Sequence, residues 1–308
     1  MGLRLRLLLE PRYGASYDEI SALARATEES GFDAFFRSDH FLGIEATDTT
    51  LRPTDSWTTL GGLARDTSRV QLGTLMTAST FRQPAQLAVA VATADAMSGG
   101  RVELGIGAGW FEREHQAFGI PFPGTGERFD RLEEQLAIIT GLWDTPPGKT
   151  FSFDGHHYQL DACANFPVFA SRPHPPIIIG GGGPRRTPTL AARFADEFNT
   201  GMPTRVPELF ANLRQICDEV GRDPATIRLS TCLPTCVGAT KEEAERNREA
   251  LGSAGARLLG LGVTGTPAEV AAGVRKLEDD GADTVYFHFF ATDPGQVQLL
   301  GEVLPAFA

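Results

Sequence analysis

The sequence predicts an α/β protein and, within that class, a (β/α)8 barrel. Eight short apolar runs alternate with longer amphipathic stretches along 308 residues. That order of elements builds a parallel sheet covered by helices, and the length suits one large barrel. The main competitor is a doubly wound open sheet, which needs a Gly-x-Gly-x-x-Gly turn after its first strand. Here that turn reads Glu10-Pro11-Arg12-Tyr13-Gly14. The barrel is favoured.

Residues 3–9 alternate Leu and Arg before a pure Leu run, a strand pattern. Residues 17–30 form a helix ended by Gly31. A second strand covers 34–38 and a helix 57–67; a third strand covers 70–76. Pro84 opens the next helix in its first turn, where a missing N–H costs nothing, and Gly99-Gly100 closes it. The fourth strand is 102–106. Helix 127–143 places Phe129, Leu132, Leu136 and Ile139 along one face. Residues 145–176 then break the rhythm, being rich in Pro, Phe and His with no helical period. They read as an insertion after the fourth strand–helix unit, with a small hairpin over 151–160 around Asp154-Gly155. The segment is too short for a core of its own. The alternation resumes with a strand at 176–179, a helix at 184–195, a short strand near Phe198 and a helix at 206–220. The seventh strand is 227–237, followed by helical structure from 241 to 251 and a helix at 267–280. The eighth strand is 284–290 and a helix over 297–307 closes the chain.

The charge is −11, from 28 Lys and Arg against 39 Asp and Glu. A general nucleic-acid or anionic-membrane binder needs a net basic face, so neither partner is expected. One locally basic anion site is still allowed. Of four cysteines, none forms a Cys-x-x-Cys pair. Cys232 and Cys236 on one strand stand ~13 Å apart, too far for a disulfide. This usage suits a reducing cytosol and offers no metal framework. The basic, Leu-rich start has only Leu7-Leu8-Leu9 before Glu10, so it reads as a strand rather than a targeting segment. No stretch approaches the ~20 apolar residues of a membrane helix. A soluble cytoplasmic protein is expected.

The 34 glycines are the unusual count, about one residue in nine against an average near 7%. A barrel carries its active site at the C-terminal ends of its strands, and the glycines concentrate at two of them. After the fourth strand comes Gly105-Ile106-Gly107-Ala108-Gly109-Trp110; after the fifth comes Gly180-Gly181-Gly182-Gly183-Pro184-Arg185-Arg186-Thr187. The second run reads either as a flexible turn or, favoured by its backbone N–H groups, a helix start, the two arginines and Thr187, as a phosphate site. The first run reads either as a platform for a planar ring walled by Trp110 or as a tight turn with a packed Trp. Ser38-Asp39-His40 follows the second strand. Taken alone, Asp39-His40 reads as a loop cap beside an ordinary surface histidine; beside a redox cofactor it would supply a proton or contact the ring. Glu112-Arg113-Glu114-His115 contains Glu-x-x-His, but a di-metal bundle needs that motif twice, so it reads as a solvated helix. His156, His157 and His174 read as loop residues of the insertion, available to a lid. Tyr286 and His288 read as barrel filling and rim. No Gly-x-Ser-x-Gly elbow, Walker loop or His-Glu-x-x-His helix appears, which leaves nucleophilic or metal hydrolysis without support. An anion site, two glycine-lined walls, a Trp and an Asp-His pair are the inventory for a phosphorylated planar cofactor.

The chain resembles the bacterial luciferase-like superfamily, and within it the branch that uses the deazaflavin coenzyme F420. The residues that carry the resemblance are Glu28-Glu29-Ser30-Gly31-Phe32-Asp33-Ala34 with Ser38-Asp39-His40-Phe41, Val70-Gln71-Leu72-Gly73-Thr74, Phe81-Arg82-Gln83-Pro84-Ala85 and the run from Leu104 to Trp110. They continue through Phe118-Gly119-Ile120-Pro121-Phe122-Pro123, Gly126-Glu127-Arg128-Phe129-Asp130-Arg131-Leu132-Glu133-Glu134, the run from Pro175 to Gly183, and Gly265-Thr266-Pro267-Ala268-Glu269-Val270. The resemblance implies one luciferase-like TIM-barrel domain over 1–308, with the ring system at the strand ends and a homodimer as the assembly. It implies that Asp39 and His40 contact the ring and that a non-prolyl cis peptide at Leu75–Met76, with Thr77 next to it, backs the ring. It further implies that Gly107, Ala108 and Gly109 flank the cofactor, while Gly180 to Gly183 with Arg185 or Arg186 hold its phosphate. His40, Asp39 and Trp110 are the expected catalytic set. Two departures matter. Sugar-phosphate dehydrogenases of this branch carry Glu where Trp110 stands, and many relatives carry Asn where Phe111 stands. The implied activity is hydride transfer between coenzyme F420 and an unidentified small organic substrate. The alternatives are an FMN-dependent monooxygenase using reduced flavin and oxygen, or a flavin-binding relative without turnover. The loop 41–56 and the insertion would bound the substrate. In the insertion Phe151, Phe153, Tyr158, Phe166 and Phe169 hint at an apolar or aromatic one, or else pack the insertion down.

Overall fold

The computed structural model describes residues 2–44, 53–164, 169, 173–252 and 259–308. Its centre is a closed ring of eight parallel strands. These are β1 (Arg4–Leu9), β2 (Ala34–Arg37), β3 (Gln71–Thr74), β4 (Val102–Gly107), β5 (Ile177–Gly180), β6 (Glu197–Thr200), β7 (Arg228–Val237) and β8 (Thr284–Phe289). Each pairs with the next, and β8 returns to β1 in the register Arg6↔Tyr286 and Leu8↔His288. Alternation along a strand sends successive side chains to opposite faces. Leu5, Leu7 and Leu9 join the core under the helices, while Leu8 joins Ala34, Phe36, Ile178, Cys232 and Tyr286 inside the barrel.

The covering helices follow the apolar periodicity. They are α1 (Tyr17–Glu29), α2 (Ser56–Asp66), α3 (Pro84–Ser98), α4 (Thr125–Trp143), α5 (Arg186–Phe194), α6 (Val206–Val220), α7 (Pro267–Asp279) and α8 (Pro294–Gly301), with a further helix Lys241–Ala250 before α7. Helix α1 opens on a capping box, in which Ser16 and Glu19 satisfy each other's backbone N–H groups. A Gly in the left-handed region closes α3 and α6.

Four local differences separate this chain from its sequence pattern. The third strand stops at Thr74, a cis Leu75–Met76 peptide follows at the implied position, and Thr77–Ala78 then pairs with β4. Helix α5 starts at Arg186 rather than Pro184. The expected short helix at Glu112 runs on to Ala117, and a three-residue strand, Val263–Gly265, lies where the pattern shows none, being too short to display a period. The hairpin is present as Thr150–Asp154 paired with Gln159–Ala164. The Glu134 carboxylate on α4 accepts N–H bonds from His156, His157 and Tyr158 at 2.8, 2.9 and 3.0 Å, and so ties the hairpin turn to the barrel. Phe151 and Phe153 pack on the core, and Phe169 sits edge-on to Trp143 at 5.7 Å. These rings pack the insertion down; Phe166 lies outside the described residues.

Barrel interiors are usually filled by branched apolar side chains. Here one layer is ionic. Arg6 is fully buried and donates to both oxygens of Glu103 (2.9 and 3.1 Å), to Tyr286 Oη (2.8 Å) and to Gln71 Oε1 (2.8 Å). Tyr286 in turn donates to Glu197 at 2.8 Å. Strands β1, β3, β4, β6 and β8 are thereby joined through one guanidinium. Removing one partner of a buried pair leaves an uncompensated charge, at a cost of about 3–5 kcal/mol. Arg6→Met is therefore expected to lower the unfolding free energy in urea by that amount. A loss below about 1 kcal/mol would show that the network does not carry the barrel.

Candidate active site

At the end of β2, the chain has two buried carboxylate anchors. Asp39 is buried and is gripped by the Arg82 guanidinium, one of whose bonds spans 3.2 Å. The same guanidinium reaches Asp55 at 2.5 Å, and Asp55 caps α2 through the Thr58 N–H at 2.8 Å. His40 Nδ1 lies 2.9 Å from Glu114 Oε2, and Glu114 Oε1 accepts the N–H groups of Phe41 (2.5 Å) and Leu42 (2.8 Å). The expectation of a solvated Glu112–His115 helix is corrected here. Glu112 and Arg113 are exposed, but Glu114 and His115 are fully buried. The reason is that this short helix turns its Glu114–His115 edge under the β2 and β3 loops. His115 Nδ1 meets the Phe111 carbonyl at 2.8 Å and Nε2 meets Thr80 Oγ1 at 2.6 Å. A carbonyl only accepts, so in the neutral ring Nδ1 carries the hydrogen and Nε2 accepts from Thr80.

Beyond β3, Leu75, Met76 and Thr77 line a cavity. Thr77 is held by a relay in which Trp57 Nε1 donates to Thr77 (3.0 Å), Thr77 to Thr74 (3.1 Å) and Thr74 to the Gly105 carbonyl (2.9 Å). Gly107, Ala108 and Gly109 form the adjoining wall. Gly109 needs its glycine, with φ at 76° and Thr80 Oγ1 2.9 Å from where a Cβ would stand. Trp110 is 58% exposed, stacks on Phe111 at 5.1 Å and meets His40 edge-on at 5.5 Å.

Gly180, Gly181, Gly182 and Gly183 line the same cavity. At Gly180 a Cβ would lie 2.4 Å from Met76 Cε and 2.8 Å from the Asn199 carbonyl, so only glycine lets these walls meet. The two arginines after the run go elsewhere. Arg185 pairs with Glu219 at 2.9 Å, and Arg186 pairs with Asp130 at 2.5 Å and the Gly126 carbonyl at 3.2 Å. Neither lines the cavity, because α5 begins only at Arg186 and both side chains leave its first turn toward neighbouring helices. The basic side chain that does line this end is Arg128 on α4, joined there by Thr125, Phe129 and Thr187. Arg128 is 8% exposed, donates to the Pro123 carbonyl (2.6 Å) and Thr125 Oγ1 (3.2 Å), and lies 4.0 Å over the Phe122 ring. Its Nε has no partner. Sequence reasoning missed Arg128 because Glu127-Arg128 reads as ordinary charge on a helix surface.

The opposite wall comes from β1, β7 and β8. Glu10 and Arg12 form a buried pair beside His288, whose Nε2 lies 4.0 Å from Glu10. Burial holds the His288 imidazole down at about 4, with Arg12 and His40 acting in the same sense and Glu10 against it. Burial alone would raise Glu10, yet Arg12, His288 and His40 bring it below the usual carboxylate value. The cavity measures about 650 Å³, within the range of small-ligand sites. Ile44, Trp110, Met202, Pro234 and Leu261 give it an apolar mouth. Tyr286 belongs to the ionic layer below. His156, His157 and His174 do not line the cavity, and His174 stacks on Trp143 at 5.6 Å.

Residues 5–259 match the family model for luciferase-like monooxygenases. An F420-dependent glucose-6-phosphate dehydrogenase of Nakamurella multipartita is 35% identical over 212 residues, which are 66% of this chain and 59% of that protein. An F420-dependent hydroxymycolic acid dehydrogenase of Mycobacterium tuberculosis is 33% identical over 230 residues, 74% of this chain and 61% of that protein. This chain therefore matches about six-tenths of the length of these relatives. Among solved structures, an F420-dependent secondary alcohol dehydrogenase in complex with an F420–acetone adduct superposes with a TM-score of 0.85 at 20% identity, over 99% of both chains. That likeness bears on the fold.

The depressed His288 has a measurable consequence. Between the usual imidazole value of 6.5 and its folded value of about 4, the unfolded chain takes up a proton that the folded chain refuses. Stability is thus fully present above about pH 6.5 and falls as pH drops, by up to ~1.4 kcal/mol per pH unit. Urea midpoints measured at pH 7 and pH 5 are expected to fall less in His288→Gln than in the parent chain. Equal slopes in the two proteins would mean that His288 is not held neutral.

Proposed function

The chain belongs to the luciferase-like monooxygenase family, and from that premise we propose that it is an oxidoreductase moving a hydride between coenzyme F420 and a small organic substrate. The observation that carries this reading is the cavity itself. It opens at the C-terminal ends of the barrel strands, with bare glycine backbone on two walls and the His40 imidazole on a third. The names of the 35% and 33% identical relatives support the same cofactor.

The residues present fit a phosphorylated ring system. The Leu75–Met76 peptide with Thr77 would back the ring, Gly107 to Gly109 would flank it, and Asp39, locked by Arg82, would hold the β2 turn against it. Gly180 to Gly183 would take the phosphate, with Thr187 and the start of α5 as donors. We assign the cationic partner to Arg128, whose Nε is unpartnered beside that loop, in place of Arg185 and Arg186. When bound, the deazaflavin supplies C5, the ring carbon that gives or takes the hydride. His40 would hold or move the substrate proton, and Trp110 would wall the pocket and exclude water.

The substrate end favours an apolar molecule. Among the described residues the only guanidinium on that side is Arg12, and Glu10 already neutralises it. Among the described residues a sugar phosphate finds no free cation there, and the resemblance implies that Trp110 stands where the sugar-phosphate enzymes carry Glu.

Titration with oxidised coenzyme F420, followed by its fluorescence, is expected to saturate. Arg128→Leu is expected to weaken binding at least tenfold, while Arg185→Ala and Arg186→Ala bind as the parent does. Glucose 6-phosphate is expected not to reduce the bound coenzyme. No binding of coenzyme F420, or tight binding of FMN with oxygen consumption in its place, would overturn the reading.

A further inference from the structure

We propose that Glu114 is the positioning residue of His40, a buried carboxylate that fixes the imidazole as its Nδ1–H tautomer and leaves Nε2 as the nitrogen available to the cavity. This rests on the functional reading above, because it assigns the proton-carrying atom of that site. A carboxylate only accepts hydrogen bonds. Of the two Glu114 oxygens, Oε1 is taken up by the N–H groups of Phe41 and Leu42, at 2.5 and 2.8 Å. Only Oε2 remains, and it sits 2.9 Å from His40 Nδ1. The hydrogen between them therefore belongs to Nδ1, and the lone pair of the neutral ring to Nε2. That nitrogen has no hydrogen-bond partner among the described residues, and the ring lines the cavity. Trp110 at 5.5 Å and Phe111 at 6.1 Å meet the ring edge-on and restrict its rotation. Glu114 itself is fully buried, so water does not compete for Oε2. A carboxylate that orients an imidazole and compensates the charge it acquires is the logic by which serine hydrolases hold their histidine; here it would serve a proton exchanged beside a hydride.

A purely structural Glu114 would do no more than tie down the turn at Phe41 and Leu42. Glu114→Gln separates the two roles. The glutamine keeps a carbonyl oxygen for the two N–H groups but presents an NH2 donor to Nδ1, which must then accept. The proton is forced to Nε2. Protein labelled with 15N-histidine, with the His40 signals assigned by their loss in His40→Gln, is measured at pH 9. The parent chain is expected to show protonated Nδ1 and bare Nε2, and Glu114→Gln the reverse, with the thermal midpoint changed by no more than a few degrees. Glu114→Asp, which shortens the carboxylate and keeps its charge, is expected to restore the parent pattern at least in part. A parent chain with protonated Nε2, or a Glu114→Gln chain with unchanged tautomer, would overturn the proposal. The spectra need no coenzyme, so failure to bind coenzyme F420 would strike the proposed function and leave this test intact.

Discussion

The guanidinium of Arg6 is the fixed point of the barrel. A charge fully removed from water is tolerated only where partners surround it, and here the partners come from strands far apart in the chain. Glu103, Tyr286 and Gln71 hydrogen-bond Arg6 directly, and Glu197 joins through the Tyr286 hydroxyl and as an ion pair at 3.7 Å. Such a layer demands that the ring of strands close in one register, because a slip of one residue would turn Arg6 out toward the helices. Leu8, Phe36, Ile178 and Cys232 fill the barrel above it. The cavity therefore rests on a closed floor, and its chemistry is set by the turns that rise from the strand ends.

Those turns use charge in a consistent way. An acidic chain would offer any anion a hostile cleft if its carboxylates stood free, yet the buried acids at the site are already occupied. Asp39 is held by Arg82, Glu114 by His40 and two backbone N–H groups, and Glu10 by Arg12. What remains open toward the glycine-lined end is backbone, the Thr187 hydroxyl and the Arg128 edge. The polar groups are fixed before any ligand arrives, the condition under which dipoles act without reorganising.

Much of this was legible in the sequence, for physical reasons that also explain what was not. Strands such as Ile177–Gly180 and Thr284–Phe289 are buried on both faces, and a continuous apolar run between turn residues is a clear sign of that. The glycines at 107–109 and 180–183 mark places where backbone must approach something, and they do converge on one cavity. The Glu112–Ala117 helix was misread because periodicity counts apolar residues, and this helix buries Glu114 and His115. Charge inside a protein leaves no hydrophobic trace. Arg185 and Arg186 follow the glycine run in the chain, yet their side chains turn to Glu219 and Asp130 and do not line the cavity, since adjacency in the chain does not fix adjacency in space. Arg128, more than fifty residues upstream, is the arginine that lines the glycine-rich end of the cavity. The break in β3 at Leu75–Met76 was visible only through family resemblance, since nothing in that local pattern distinguishes it from a continuing strand.

The Arg82 fork has one more consequence. Its two arms end on Asp39 and Asp55, the residues that bracket the segment 40–54. A loop pinned at both roots by one side chain from outside it is a cassette. Loop length costs little entropy in general, and the root carrying His40 is held by Asp39 and Arg82 whatever follows it. The position of His40 is thereby set by the barrel and by Arg82, and does not depend on which residues lie between the two anchors.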